Sequence, residues 1–550
     1  TRYRFNWTAP ILVSQHDANV IYHGGNVLFR TEDRGDSWRP VSGDLTRNDR
    51  ARQGWGGGPI TNEGAGGEVY GTIVVIAESR HDAKTVYVGT DDGLIQRTQD
   101  GGATWTNITP AAWGDGLVNE IEVSPHDPNT VYVAFRKDRV GDPTPHLFRS
   151  TDAGRTWTRL VNGLRAGEPV RVVREDPAQR GVLYAGTETG AYYSLDAGAS
   201  WVPFTQLPVV PVTDLEVRHG DLIASTEGRA FWILDDLVPV RQHASAAKAG
   251  AHLFTPRDAV LGGGGGGGPA DRVGRNPAYG ATLWLNLPSA PDSSAPITLD
   301  ILDAKGAVVR SFSTRATVPL DRLTLTAGLN AHVWNLRRTG PTTLQGVTLF
   351  GAPNGGPLVA PGRYVARLTV AGSEQRAEFN VNPDPRLAPV PAAVVAARDS
   401  LQRTIATRIG EMHDQVLSLR DLRTQVQGVV SRVKDVPLAD SIGLTGRAIV
   451  GRVNGFEPRL TTKAGNGQDI INYPNGLNGQ FGFLWGELEG NPGLTRPSRE
   501  RFVEVEAAWR ALRGEIDAFI NNDVGAFNRL LQRAGVPAVI LPTPKPIGIM

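Results

Sequence analysis

The sequence contains the stretch Thr31-Glu32-Asp33-Arg34-Gly35-Asp36-Ser37-Trp38, and its pattern, Ser/Thr-x-Asp-x-Gly-x-Ser/Thr-Trp, returns at 98–105, 150–157 and 194–201. We call each of these copies a box. Glycine allows a positive φ in a tight turn, and Asp and Ser/Thr side chains bind backbone N–H groups there. Each box therefore predicts a hairpin turn whose tryptophan begins the next strand. The following box residues are expected to be structural rather than catalytic: Asp33, Gly35, Trp38, Asp100, Gly102, Trp105, Asp152, Gly154, Trp157, Asp196, Gly198 and Trp201.

A second phrase accompanies the boxes. Ser14-Gln15-His16-Asp17 begins a strand–turn–strand pattern that recurs from Ser79 and from Ser124. Together with the box hairpin it gives four strands per unit, and this repeat length is typical of a β-propeller blade. A fifth unit, 212–240, keeps the strand pattern and has no box. Because His16, His81 and His126 fall in different units, we expect them to stabilise turns rather than to share a metal ion.

The boxes resemble the Asp-box, or BNR repeat, of sialidase-like and sortilin-like β-propellers. The resemblance extends to Leu253-Phe254-Thr255-Pro256 and to 275–281, where the repeats end. The whole pattern is similar to the C-terminal part of bacterial sortilin-like (VPS10-type) proteins that are often labelled glycosyl hydrolase. This resemblance implies a mainly β fold whose propeller has about five four-stranded blades within a larger ring. A missing N-terminal propeller half or a protein partner would supply the remaining blades.

Composition changes along the chain predict four regions. Residues 1–250 hold the blades, and 251–278 form a linker that contains the seven-glycine run 262–268. Short alternating strands and the phrase Pro361-Gly362-Arg363-Tyr364 predict an immunoglobulin-like or fibronectin-like β-sandwich over 279–384. Apolar residues spaced by threes and fours over 401–433 and 502–519 predict an α-helical hairpin or bundle over 385–550.

Composition also excludes some classes of function. The net charge of +1 gives no indication of a nucleic-acid partner, and no apolar run is long enough for a transmembrane segment. The absence of cysteine excludes disulfides, thiolate metal sites and a cysteine nucleophile. We expect no cofactor and no metal. The resemblance implies a secreted, periplasmic or cell-surface protein of bacterial origin.

The blade end opposite the boxes is the predicted ligand-binding face. The longest insertions, 46–70, 107–120 and 136–146, fall at that end, where propellers usually bind ligands. Its acidic hairpin turns, 90–93 and 187–190, are more typical of ordinary turns than of catalytic sites. The candidate ligand-binding residues are Trp55, Asp91, Asp92, Arg136, Arg139, Glu188, Arg229 and Trp232.

Three hypotheses for function follow. The first is a non-catalytic exported binding or assembly protein that recognises a polypeptide or surface ligand, because the ring is partial and no catalytic set is recognisable. The alternative is a glycoside hydrolase, sialidase-like or xyloglucanase-like, that acts on a glycan with two carboxylates a few ångströms apart. Several carboxylates are available, and the sequence distinguishes no pair among them. A structural cell-surface or filament subunit is the third hypothesis.

Overall fold

The computed structural model describes residues 3–53, 69–246, 250–262, 274, 276–292, 294–347, 349, 351–462 and 475–541. The chain divides into two compact units, Thr1–Ala244 and Ser245–Met550. Residues 263–268 of the glycine run in the predicted linker lie outside the described residues, and so does Trp55. No helix in the described ranges is long and apolar enough to cross a membrane.

The first unit consists of consecutive small antiparallel sheets, which we number from sheet 1 to sheet 5 in chain order. Sheets 1 to 4 have four strands each, and sheet 5 has three. Sheet 1 comprises Ile11–Val13, Ile21–Gly24, Leu28–Thr31 and Arg39–Pro40. Sheet 2 comprises Ile73–Glu78, Val86–Thr90, Ile95–Thr98 and Thr106–Asn107. Sheet 3 comprises Leu117–Val123, Val131–Arg136, Leu147–Ser150 and Thr158–Arg159.

Sheets 4 and 5 continue the same order. Sheet 4 comprises Val170–Glu175, Leu183–Thr187, Ala191–Ser194 and Val202–Pro203. Sheet 5 comprises Val212–Arg218, Asp221–Thr226 and Phe231–Leu234, and two short helices follow, Val238–Arg241 and His243–Ala246. In every sheet, strands that are adjacent in sequence pair with each other.

An apolar core lies between each pair of consecutive sheets. Between sheets 1 and 2, for example, Tyr22 and Leu28 pack with Ile73 and Val88. Equivalent cores join sheets 2 and 3, 3 and 4, and 4 and 5. The sheets therefore stabilise one another face to face, and we call each such contact a joint.

The box turns form dense local hydrogen-bond networks. In the first box the Asp33 carboxylate accepts hydrogen bonds from the Ser37 amide at 2.9 Å and from the Ser37 hydroxyl at 2.6 Å. The Thr31 hydroxyl accepts from the Gly35 amide at 3.0 Å, and Gly35 has a φ of 106°. The other three boxes repeat these contacts.

The second unit begins with two β-sheets that share one apolar core. The smaller sheet has three strands, in the order His252–Leu253, Ala281–Leu287 and Gly328–Trp334. The larger has five, in the order Ala259–Leu261, Ser373–Pro383, Gly362–Val370, Thr298–Asp303 and Val308–Ser313.

Helices form the rest of the second unit around a separate core that contains Trp485 and Trp509. Their bounds are Ala392–Arg432, Ala439–Leu460, Leu477–Gly490, Arg496–Phe519 and Gly525–Arg533, with a π-helical turn at Ile520–Val524. The prediction of a mainly β chain with a C-terminal helical region is confirmed.

A further helix lies between the two apolar stretches from which the helical region is predicted. It spans Ala439–Leu460, within the predicted helical region 385–550. Gly446 is buried, and a Cβ added there would lie 2.4 Å from the Val430 side chain. The small residue therefore serves close helix packing rather than a turn.

Candidate functional site

The predicted ligand-binding face corresponds to one end of the first unit. We call it the entry end, because the first strand of each sheet starts there. At this end Arg136, the last residue of the second strand of sheet 3, contacts Glu188 at 3.0 Å and Asp138 at 2.7 Å. Arg171 of sheet 4 contacts the same Glu188 carboxylate at 2.7 Å and Glu227 of sheet 5 at 3.2 Å. One ion network therefore spans sheets 3 to 5.

Asp91 and Asp92 follow the second strand of sheet 2 at the same end. Asp91 accepts hydrogen bonds from the amides of Gly71 and Thr72 at 3.0 and 2.8 Å. Burial raises the pKa of Asp91 to about 6, and the neighbouring Asp92 charge adds to that shift. Burial also raises the pKa of Asp92, whose carboxylate accepts from the Arg47 amide at 2.8 Å. Both carboxylates thus hold the backbone of the entry end in place.

An aromatic cleft opens between two of the long insertions. Trp113 stacks on Phe148 with ring centroids 4.1 Å apart and lies 5.1 Å from Phe135. The cleft has a volume of about 220 Å³, and Ala112, Lys137, His146 and Arg159 also line it. Its lining therefore combines aromatic rings with side chains that can form hydrogen bonds.

His146 at the rim of this aromatic cleft is held by an acidic partner. Its Nε2 atom lies 2.8 Å from the Asp142 carboxylate, and the Thr144 hydroxyl donates to the same carboxylate at 2.6 Å. Hydrogen bonds from Thr144 and then from His146 keep the pKa of Asp142 well below its usual range. Asp142 therefore stays ionised and fixes the imidazole beside the aromatic floor.

A second pair of carboxylates lies on the first strand of sheet 3. Arg174 of sheet 4 contacts Glu120 at 2.7 Å and Glu122 at 3.7 Å, and Asp214 of sheet 5 at 2.8 Å. Burial raises the pKa of Glu122 to about 7 even though Arg174 opposes the shift. Burial raises the pKa of Glu120 as well. A carboxyl group with a pKa near neutrality is suited to proton transfer.

The structure brings together only part of the predicted set. Arg136 and Glu188 are in direct contact, and the exposed Arg229 belongs to the same turn as Glu227 of their network. Arg139 is exposed on the short helical turn after Arg136. Trp232 lies on the last strand of sheet 5, where its indole N–H donates to the Arg229 carbonyl at 3.1 Å.

Sequence reasoning missed the aromatic cleft. Trp113 lies inside the insertion 107–120 and outside any box, and this position between two repeats was the signal that could have singled it out. Among the described residues, no group of three or more His, Asp or Glu side chains is placed to hold a metal ion.

Comparisons with known proteins give partial similarities. No protein-family model matches the chain. A xyloglucanase from a Paenibacillus species is 27% identical over 292 residues, which cover 50% of this chain and 25% of that protein. Xyloglucanase Xgh74A from Acetivibrio thermocellus is 30% identical over 160 residues, which cover 26% of this chain and 18% of that protein. The chain thus spans a quarter or less of the length of these curated relatives.

Among solved structures, the GH74 xyloglucanase from Xanthomonas campestris aligns over 66% of this chain and 58% of the xyloglucanase chain. The TM-score of that alignment is 0.32 and the identity is 13%.

Proposed function

We propose that this chain is part of a glycoside hydrolase that cleaves a β-glucan such as xyloglucan, and that the aromatic cleft at Trp113 holds one sugar ring of the polymer. The observation that carries the proposal is the similarity to a xyloglucanase over 292 residues. This choice favours the alternative hypothesis of the sequence analysis over the non-catalytic one.

The aromatic cleft supports the proposal through its chemistry. A sugar ring has apolar C–H faces and a polar edge, so it fits a stacked aromatic floor with a hydrogen-bonding rim. Trp113 and Phe148 supply the floor, and His146 and Arg159 lie at the rim. The volume of about 220 Å³ is below the ~300–1,000 Å³ of pockets that enclose larger ligands. The cleft therefore suits one ring of a chain that continues over the surface.

Cleavage needs a proton donor with a raised pKa and a second carboxylate. Asp91 and Glu122 meet the first requirement, because burial raises their pKa values to about 6 and about 7. We infer that Asp91 donates the proton, because it lies at the entry end, whereas Glu122 is the next-to-last residue of the strand Leu117–Val123 and lies toward the opposite end. Because Asp91 accepts hydrogen bonds from two backbone amides, substitution by the amide is the appropriate probe.

The proposed function also implies a particular fold and a location outside the cell. We infer that sheets 1 to 5 are consecutive propeller blades of the sortilin-like kind and that the two sheets of the second unit form an immunoglobulin-like sandwich. The Tyr364 hydroxyl donates to the Ala360 carbonyl at 2.7 Å, which resembles the tyrosine corner of such sandwiches. Action on a polymer outside the cell further implies secretion.

The test measures xyloglucan binding by calorimetry and released reducing ends in the same samples. Trp113→Ala should weaken binding at least tenfold, and Asp91→Asn should abolish release while leaving binding intact. Trp7→Ala is the matched control, because it removes a tryptophan that is 75% exposed and does not line the cleft. Equal binding by the Trp113→Ala variant and the unaltered protein would refute the assignment of the cleft.

A second candidate function is binding without cleavage. Several carboxylates of the entry end already have partners: Glu188 pairs with two arginines, Asp115 with Arg52 at 2.7 Å, and Asp91 with two backbone amides. This arrangement favours a rigid recognition surface. Binding that depends on Trp113 but yields no reducing ends from any β-glucan would select this candidate.

A further inference from the structure

The third strand of sheet 5, Phe231–Leu234, differs from the third strands of the other sheets, and we call it the edge strand. The third strands of sheets 1 to 4 contain no exposed residue: Leu28–Thr31, Ile95–Thr98, Leu147–Ser150 and Ala191–Ser194. All four residues of the edge strand are exposed, by 76% for Phe231, 40% for Trp232, 57% for Ile233 and 39% for Leu234. A run of exposed apolar residues of this length indicates a contact surface.

The outer side of the edge strand has no strand partner among the described residues. Sheet 5 ends there, whereas in sheets 1 to 4 a fourth strand pairs with the third. On the inner side, the Thr226 amide donates to the Ala230 carbonyl at 3.1 Å. Hydrogen-bonded and non-hydrogen-bonded pairs alternate along antiparallel strands. Phe231 and Ile233 therefore direct their backbone N–H and C=O groups outward, to the open edge.

The edge strand is apolar on both faces of its sheet. Trp232 lies opposite Ala224, which belongs to the core between sheets 4 and 5, so Trp232 and Leu234 share that face. Phe231 and Ile233 lie on the other face. Open backbone groups flanked by apolar side chains are the features by which a sheet accepts a further strand.

The fourth strands of the other sheets are not of the kind that would cover this edge. They are two residues long and exposed: Arg39–Pro40, Thr106–Asn107, Thr158–Arg159 and Val202–Pro203. In sheets 1 to 3 each pairs with an arginine of the third strand, which is Arg30, Arg97 or Arg149. A matching partner for the edge strand is as long and as apolar as the edge strand itself.

Charges of opposite sign flank the edge strand. Arg229 lies in the turn before it and Asp235 directly after it, and both are exposed. When two copies of a strand pair antiparallel, the start of each meets the end of the other. Arg229 of each copy then reaches Asp235 of the other, whereas parallel pairing would bring like charges together. The edge strand is therefore complementary to itself, as a two-fold symmetric contact requires.

We propose that two copies of this chain form a dimer through the edge strand, which joins their three-stranded sheets into one continuous antiparallel sheet. Trp232 lies directly opposite Trp232 of the second copy, at a non-hydrogen-bonded pair where side chains approach most closely. Phe231 exchanges backbone hydrogen bonds with Ile233 of the second copy. A register centred on Ile233 would instead place Phe231 opposite Asp235. Arg229 and Trp232, predicted to bind a ligand, thus serve self-association.

Sedimentation velocity of the full chain over a range of concentrations tests the dimer. We expect a monomer–dimer equilibrium whose dissociation constant rises at least about tenfold in Ile233→Lys, because pairing would bury an unpaired ammonium group. Val209→Lys is the matched control, since Val209 is 85% exposed and precedes the strand at the opposite edge of sheet 5. Circular dichroism checks that both variants are folded. A chain that is monomeric at every concentration, or equal weakening by both variants, would overturn the proposal.

Charge reversal tests the antiparallel direction. Arg229→Asp and Asp235→Arg should each weaken dimerisation, because like charges then meet at both ends of the contact. An equimolar mixture of the two variants should recover the dimer, because every pair of facing charges in the mixed dimer is again opposite in sign. A mixture that associates no better than either variant alone would rule out antiparallel pairing of the edge strands.

Single cysteines test the register, because a chain without native cysteine can form only intermolecular disulfides from them. Trp232→Cys places two thiols across the two-fold axis, within the Cα separation of about 4.4–6.8 Å that a disulfide spans. Phe231→Cys is the matched control, because position 231 lies opposite position 233 and its two thiols are too far apart. Under mild oxidation Trp232→Cys should form covalent dimers at least about tenfold faster than Phe231→Cys. Equal rates would refute the proposed contact.

Discussion

The first and fourth boxes share one pattern and differ in what surrounds them. Both aspartates accept hydrogen bonds from the amide and hydroxyl of the Ser four residues later. Trp201 is nevertheless buried against sheet 3, whereas Trp38 is 43% exposed. The turn is therefore encoded locally, and the packing of its tryptophan depends on a neighbouring sheet. Comparable substitutions in the two boxes should separate these two contributions.

The largest difference is expected for the tryptophans. Trp201→Ala removes a buried indole and its bond to Leu160, and should lower the free energy of unfolding by about 3–5 kcal/mol. Trp38→Ala removes a side chain that is 43% exposed and should cost less than about 1 kcal/mol. Urea unfolding followed by circular dichroism measures both. Equal losses would show that Trp38 contributes as much stability within its own turn as Trp201 contributes at its joint with sheet 3.

A smaller difference is expected for the box glycines. Gly35 and Gly102 have φ values of 106° and 98°, so alanine at either position costs about 1–2 kcal/mol of backbone strain. At Gly102 the added Cβ would also lie 2.5 Å from the Val41 carbonyl oxygen of sheet 1, whereas at Gly35 the nearest atom is 3.8 Å away. Gly102→Ala should therefore lose about 1–3 kcal/mol more than Gly35→Ala. Matching losses in urea titrations would mean that the joint relaxes around the methyl group.

The same contrast explains which parts of the fold could be predicted. The box turns follow from hydrogen bonds between residues at most four positions apart, which a sequence pattern records directly. The joints between sheets do not follow from a local pattern. The indole N–H groups of Trp105, Trp157 and Trp201 donate hydrogen bonds to backbone carbonyls that lie 64, 49 and 41 residues away. The packing of the helix 439–460 is likewise not recorded in a local pattern, since Gly446 makes room for Val430 of another helix.

The candidate site was less predictable than the fold. Repeat positions placed Arg136 and Glu188 at one end of neighbouring sheets, and these residues lie 3.0 Å apart. That this end binds a ligand stays a prediction. The position of Trp113 in an insertion singles out that residue, but the cleft as a whole could not be derived from a pattern, because Trp113, Phe135 and Phe148 come from an insertion and two strands. Nor could the raised pKa of Glu122 be foreseen, because it depends on burial beneath a neighbouring sheet.

The smallest expected effect is a pH dependence of opposite sign in box and non-box aspartates. The Ser37 hydroxyl, with other hydrogen bonds, lowers the pKa of Asp33 from 3.8 to about 2, whereas burial raises that of Asp91 from 3.8 to about 6. The stability from Asp33 is present above pH 3.8 and is lost as the pH falls through about 2. The stability linked to Asp91 is complete below pH 3.8 and is lost as the pH rises through about 6.

The unaltered protein should lose stability between about pH 4 and pH 7, and Asp91→Asn should make that loss smaller by about 2 kcal/mol. Asp33→Asn should leave that interval unchanged and flatten the loss below about pH 4, because its carboxylate no longer has to be protonated. Urea midpoints collected over a pH series measure both variants against the unaltered protein. If Asp91→Asn kept the full loss between about pH 4 and pH 7, burial of that carboxylate would not be its cause, and Asp91 would be unsuitable as the proposed proton donor.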